Sequence, residues 1–152
     1  MSKIFQFILI TFLLSSCGYK PLLQNKNYDF SFANINIDGN KKITQVIKNS
    51  LIEKTSSTSV KNYQIFIEAE NVKETISTNS KGDPTVFKIL VSVDYILEED
   101  GKNIFKNTIT RHTTYNNIND KFELLKYEEN ILKILSQGVS SEILVSIASL
   151  IK

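Results

Sequence analysis

The run Phe87, Ile89, Val91, Val93, Tyr95 and Leu97 constrains the fold more than any other part of the chain. Large apolar or aromatic side chains recur at every second position, with Lys88, Ser92 and Asp94 among those between them. That period of two marks a strand with one buried face and one wetter face. Turn residues bracket it: Lys81-Gly82-Asp83-Pro84 comes before and Asp100-Gly101 after, which predicts an antiparallel meander with this strand in the middle.

The flanking strands read in the same way. Tyr63, Ile65, Ile67 and Ala69 share one face of the preceding strand, after which the apolar positions move to Val72 and Ile76. That shift of phase predicts a bulge or bend near Glu70 and Asn71. In the following strand Phe105, Asn107, Ile109, Arg111, Thr113 and Tyr115 lie opposite Lys106, Thr108, Thr110, His112 and Thr114. An earlier strand, from Phe30 to Asp38, places Phe30, Phe32, Asn34, Asn36 and Asp38 on one side and Ser31, Ala33, Ile35 and Ile37 on the other.

Two helices complete the chain. Asp38-Gly39-Asn40 ends the first strand, and Asn40 caps a helix in which Ile43, Val46, Ile47 and Leu51 fall on one face. A strand, this helix and a return strand form a crossover, right-handed if the two strands pair in parallel. Asp120, with Glu123 three residues on, resembles a capping box. It opens a terminal helix with the stripe Leu125, Leu132, Leu135, Val139, Ile143, Ile147 and Leu150. Gly138, in mid-helix, costs ~1 kcal/mol against alanine and so predicts a slight kink or close packing.

The expected fold class is α+β, in the order strand-helix-strand-strand-strand-helix. Two helices cover one face of a four-stranded mixed sheet and make a two-layer sandwich. The other face stays open. It is expected to carry Gln64, Glu68, Lys88, Ser92, Asp94, Thr108, Thr110 and Thr114, with Phe66, Leu90, Ile96 and Ile104 as apolar positions available to a partner.

The N-terminal end points to the cell envelope. After Lys3, residues 4–14 are almost wholly apolar, and as a helix they rise roughly 16 Å, about half of a hydrocarbon core. Cleavage suits so short a segment better than spanning. Leu14-Ser15-Ser16-Cys17 looks like the lipobox of bacterial lipoproteins, in which the cysteine becomes the acylated first residue. Cys17 is the only cysteine, so a disulfide within the chain is excluded. Several acyl chains on it, as the lipobox resemblance implies, would make membrane attachment effectively permanent. By resemblance to sorted lipoproteins, Gly18 rather than aspartate after Cys17 favours the outer membrane. The expected organisation is a signal peptide over 1–16, a lipidated tether over 17–27 and a single domain over 28–152, large enough to bury a core of its own.

Charge and chemistry narrow the function classes. Without Lys3 the chain carries seventeen basic against sixteen acidic residues, so no overall field draws nucleic acid. His112 is the only histidine and has no cysteine or second histidine to complete a metal shell. No nucleophile elbow, phosphate-cradling glycine loop or zinc helix occurs. Glu98-Glu99-Asp100 is read as a solvated turn cluster, and the neighbours Glu128 and Glu129 point in different directions. No catalytic residue, metal or cofactor is expected, and a lipoprotein hydrolase lacks a nucleophile with a base beside it. Arg111, the only arginine, suits either bidentate contact with an anion or a packed stem with a solvated head.

Several short motifs together resemble the lipopolysaccharide-assembly lipoprotein LptE family, particularly its alphaproteobacterial members. They are Cys17-Gly18-Tyr19-Lys20-Pro21-Leu22, the strand Ile35 to Asp38 leading into the Ile43 to Leu51 helix, and the Ser80 to Thr85 hairpin. Arg111-His112-Thr113-Thr114-Tyr115-Asn116 and the terminal helix from Phe122 complete the set. The resemblance implies an outer-membrane lipoprotein on the periplasmic side of a Gram-negative envelope. It would sit inside the large barrel LptD, support that barrel's assembly and help deliver lipopolysaccharide to the outer leaflet. It also implies lipopolysaccharide contact, for which Lys81, Lys88 and Arg111 are the candidate phosphate ligands. The competing expectation is a periplasmic lipid-binding auxiliary lipoprotein of an ABC-type lipid transporter.

Overall fold

The computed structural model describes residues 28–56 and 59–151. The signal peptide expected over 1–16 and the tether expected over 17–27, with Cys17, lie outside the described residues. Six elements follow in order: β1 (Ser31–Gly39), α1 (Lys41–Lys54), β2 (Asn62–Thr78), β3 (Pro84–Glu99), β4 (Lys102–Asn116) and α2 (Lys121–Leu150). The strands form one sheet in the order β1-β2-β3-β4, with β1 parallel to β2 and the other pairs antiparallel. This is the expected α+β sandwich with a mixed sheet. β1 and β2 run parallel because α1 carries the chain back between them. β2, β3 and β4 follow one another through tight turns, and at Asp100-Gly101 both residues have positive φ, as a two-residue hairpin requires.

The core lies between the sheet and the helices. Phe87, Ile89, Val91, Val93, Tyr95 and Leu97 are all buried, as their alternation predicts. Ile43, Ile47 and Leu51 of α1 are completely buried in the same core, and Val46 is half-buried. The Asn40 side chain accepts from Lys42 N at 3.0 Å and Ile43 N at 3.5 Å, satisfying two of the donors that a helix start leaves open. Asp120 does the same for Phe122 N and Glu123 N at the start of α2.

The packing corrects three expectations. In β1 the pairing with β2 slips by one residue between Phe32 and Asn34. This bulge at Ala33 changes the parity, so Phe30 and Phe32 pack on the same side as Ile35 and Ile37 instead of opposite them. Apolar residues on both sides of the step then join one core. In β2 the predicted bulge near Glu70 and Asn71 is absent: pairing with β3 runs unbroken from Gln64 to Thr75, and the irregularity falls at Ile76. Val72 therefore belongs to the open face, opposite Leu90. The core-side positions beyond Ala69 are instead Asn71, Lys73 and Thr75. The Lys73 ammonium stands over the Phe87 ring, with Nζ 4.2 Å from its centre.

The third correction concerns the rotation of α2. Leu124 and Ile131 are buried there, whereas Leu125 is 53% and Leu150 44% exposed and Leu132 is half-buried. Glu128 gives the reason: its Oε1 accepts from Lys73 Nζ at 2.6 Å and from the Tyr115 hydroxyl at 2.7 Å. Leu124, Glu128, Ile131 and Leu135 lie on one face at spacings of four, three and four. Turning Glu128 toward the sheet therefore turns Leu124 inward and Leu125 outward. Glu129 points elsewhere, to Lys42 of α1 at 2.5 Å.

The Tyr115 phenol is pushed well above its ordinary value, first by burial and then by its bond to the Glu128 carboxylate. Burial raises Tyr28 and Tyr63 as well. The folded chain thus holds phenolic protons that the unfolded chain releases near pH 10. This stabilisation is complete below pH ~10 and is lost as pH rises beyond it. Urea midpoints are expected to fall between about pH 10 and 11, and to fall less in Tyr115→Phe. Equal slopes in the two proteins would contradict this origin.

Candidate functional site

The helices leave one face of the sheet uncovered, and the strand register sets its side chains in rows across the strands. Asn36, Phe66, Ile96 and Lys106 form one row, and Asp38, Glu68, Asp94 and Thr108 the next. Beyond these come Glu70, Ser92 and Thr110, then Val72, Leu90 and His112, then Glu74, Lys88 and Thr114. A groove of about 520 Å³ opens over the first two rows, with Phe66 and Ile96 as its apolar floor. Phe66 is 37% exposed and Val72 42%, while Leu90 and Ile96 are half-buried between strand neighbours. Ile104, 39% exposed, sits on β4 where its pairing with β3 shifts at Leu97 and Glu98.

The charges on this face are unequal. Asp38, Glu68, Glu70, Glu74, Asp94 and Glu98 stand against Lys88 and Lys106, a net of four negative charges. The two helices carry seven lysines against five glutamates. Directly opposed side chains in neighbouring strands lie ~5 Å apart, so Asp38, Glu68 and Asp94 are like charges in register, which destabilises a sheet. Thr108 donates its hydroxyl to Asp94, and the Gly39 N–H donates to Asp38 Oδ1 at 2.8 Å. Among the described residues no three acidic, histidine or cysteine side chains gather closely enough to hold a metal ion.

The basic residues singled out from the sequence do not converge. Lys81 is exposed in the β2–β3 turn, where the Asn79 side chain accepts from its N–H. Lys88 is on the open face, 3.5 Å from Glu74. Arg111 lies on the opposite face, in register with Val91, where its Nε and Nη2 both donate to Glu142 Oε2 at 3.1 and 3.0 Å. Its guanidinium crosses α2 at Gly138, where a Cβ would stand 2.9 Å from Nη1. Close packing is therefore what glycine permits in mid-helix.

This arrangement predicts a coupling. Gly138→Ala gains ~1 kcal/mol of helix propensity and displaces an exposed ion pair worth less than ~1 kcal/mol, so alone it should change stability little. In an Arg111→Ala background the same change should stabilise by the full ~1 kcal/mol. Equal effects in both backgrounds, measured by urea unfolding, would show that Arg111 does not oppose the methyl group.

Sequence reasoning missed the row Asp38, Glu68 and Asp94 as a unit. Asp38 joins it only once the bulge at Ala33 has reversed the parity of β1. Val72 was missed for a related reason, since its face follows from an unbroken ladder rather than a bulge.

Fold and site together define a small two-layer α+β domain with one sheet face left open by its helices. No family model matches the chain, and no curated protein matches it in sequence. Its fold is similar to those of several bacterial lipoproteins of known structure. Rare lipoprotein B from Shewanella oneidensis superposes with a TM-score of 0.62 at 16% identity, over 78% of this chain and 94% of that one. Lipoprotein B from Nitrosomonas europaea gives 0.58 at 13% identity, over 89% and 92%. A minor lipoprotein from Acinetobacter baumannii gives 0.52 at 16% identity, over 82% and 93%.

Proposed function

We propose that this chain is a non-catalytic lipoprotein of LptE type, anchored through acyl chains on Cys17 to the periplasmic side of the outer membrane. It plugs an LptD barrel, helps that barrel assemble and takes part in delivering lipopolysaccharide to the outer leaflet. The observation that carries the reading is the sheet face left uncovered among the described residues, with Phe66, Leu90, Ile96 and Val72 on it. Such a face suits a body seated against another protein. The Leu14-Ser15-Ser16-Cys17 motif and a fold shared with bacterial lipoproteins support the same reading.

Lipopolysaccharide phosphates have Lys81 as the accessible candidate ligand. At Lys88 and Arg111 they must compete with Glu74 and Glu142. Depleting the chain should lower both mature LptD and surface lipopolysaccharide, and normal levels of both would overturn the proposal. Purification from solubilised membranes separates it from the transporter alternative: a large barrel is expected, whereas an inner-membrane complex would favour an ABC-type system. Leu90→Asp and Ile104→Asp should weaken barrel capture while leaving the domain folded.

A further inference from the structure

The open face differs from a merely solvated sheet surface in two ways. It combines an apolar floor with a strong excess of one charge, and that excess includes carboxylates held directly opposite one another in Asp38, Glu68 and Asp94. Lysine, the commonest charged residue of this chain, would relieve the repulsion at any of the three positions. The same body carries an excess of lysine on its helices, so the polarity between faces is not a consequence of overall composition.

We infer that the uncovered face docks a protein surface bearing lysine or arginine side chains among apolar ones, and that phosphate-bearing ligands do not bind there. Apolar residues of the partner fill the groove over Phe66 and Ile96, and its cations stand over the carboxylate row. Desolvating that row without cations would be costly, whereas opposite charge brought to it speeds encounter and fixes the orientation of docking. A phosphate meets the reverse situation, because Lys88 is already close to Glu74 and Lys106 stands alone at the β4 end of the neighbouring row, in register with Ile96. The inference rests on the proposed function and deepens it by naming the partner surface, the inner wall of the barrel as the cationic face, and it removes Lys88 from the candidate phosphate ligands.

The test uses the full lipidated chain and its triple variant Asp38→Asn, Glu68→Gln, Asp94→Asn. The variant should melt no lower than the native chain, since it removes like-charge pairs. Barrel recovered with the native chain from detergent-solubilised membrane should fall between about 50 and 300 mM salt, where screening shortens the reach of charge. The variant should recover about tenfold less at the lower salt and show little salt dependence. Equal recovery with equal salt dependence would overturn the inference while leaving the assembly role intact.

If the native chain recovers no barrel, the assembly role fails, and a second measurement decides the inference. Two synthetic strand peptides, alternating valine with lysine or valine with glutamate, are titrated against the purified chain. The lysine peptide should bind, about tenfold more weakly to the variant, and the glutamate peptide should not. Overturning results are no binding of the lysine peptide, equal binding of both, or preference for vesicles of a phosphorylated glycolipid. Self-association of the native chain that the variant abolishes would assign the face to a second copy and also overturn it.

Discussion

Gly39→Ala is expected to remove about 3–5 kcal/mol of folding stability, enough to leave a domain of ordinary stability marginal. Gly39 closes β1 with φ +104°, a conformation that strains any residue with a Cβ. A Cβ there would also lie 1.9 Å from the Ala69 carbonyl oxygen, well inside contact distance. That oxygen cannot retreat cheaply, because it accepts from the Asn40 N–H at 3.0 Å at the point where α1 begins. Asn40 in turn donates its side-chain amide to Asn71 at 2.8 Å, so one methyl group would disturb the strand end, the helix cap and β2 together. Gly101→Ala is the control. Its φ is +73°, but nothing lies within 4 Å of the added carbon, so about 1 kcal/mol is expected. Urea unfolding of both variants checks the contrast, and a Gly39→Ala midpoint equal to that of Gly101→Ala would refute it.

A carboxylate placed at Leu97 should unfold the domain, whereas one placed at the adjacent Ile96 should leave it folded and unable to hold the barrel proposed as its partner. Leu97 is fully buried on the helix side of β3. Leu97→Asp forfeits about 2–3 kcal/mol of burial and leaves a buried carboxyl without a cation, which costs several kcal/mol more. The total reaches the whole stability of a typical domain. Ile96 projects to the other side, beside Phe66 and Lys106, where water reaches an added charge. Ile96→Asp should therefore cost only about 1 kcal/mol of stability while replacing part of the apolar groove floor, on which the apolar side chains of the proposed partner would seat, with a hydrated carboxylate. Circular dichroism reads folding, and recovery of the proposed barrel partner reads docking. A folded Leu97→Asp, or an unfolded Ile96→Asp, would mean that the faces of β3 are reversed.

Much of the architecture is legible in local pattern. The alternation from Phe87 to Leu97 specifies a strand and its buried side, because a period of two survives in no other regular structure. Asn40 and Asp120 mark both helix starts by supplying oxygen to unpaired N–H groups. Asp100-Gly101 marks a hairpin because the turn demands positive φ. Each is a short-range signal whose physics is complete within a few residues.

The site was less legible, and the residues show why. Arg111 shares the parity of buried Ile109, yet only the passage of α2 over β4 supplies Glu142 as its partner and Gly138 as its space. Leu124 and Leu125 fit an amphipathic helix almost equally well, and Lys73 and Tyr115, distant in sequence, choose between them through Glu128. The row Asp38, Glu68 and Asp94 comes from three strands, one of which carries a bulge that the pattern of β1 does not announce.

From the sequence by itself came the order of elements, their class and the existence of a bare sheet face, since periodicity, caps and turns are properties of neighbouring residues. Which residues meet on that face, and with what charge, was decided only by the tertiary structure. Strand register and helix rotation depend on contacts between segments far apart in the chain, and a shift of one residue exchanges the buried side for the exposed one.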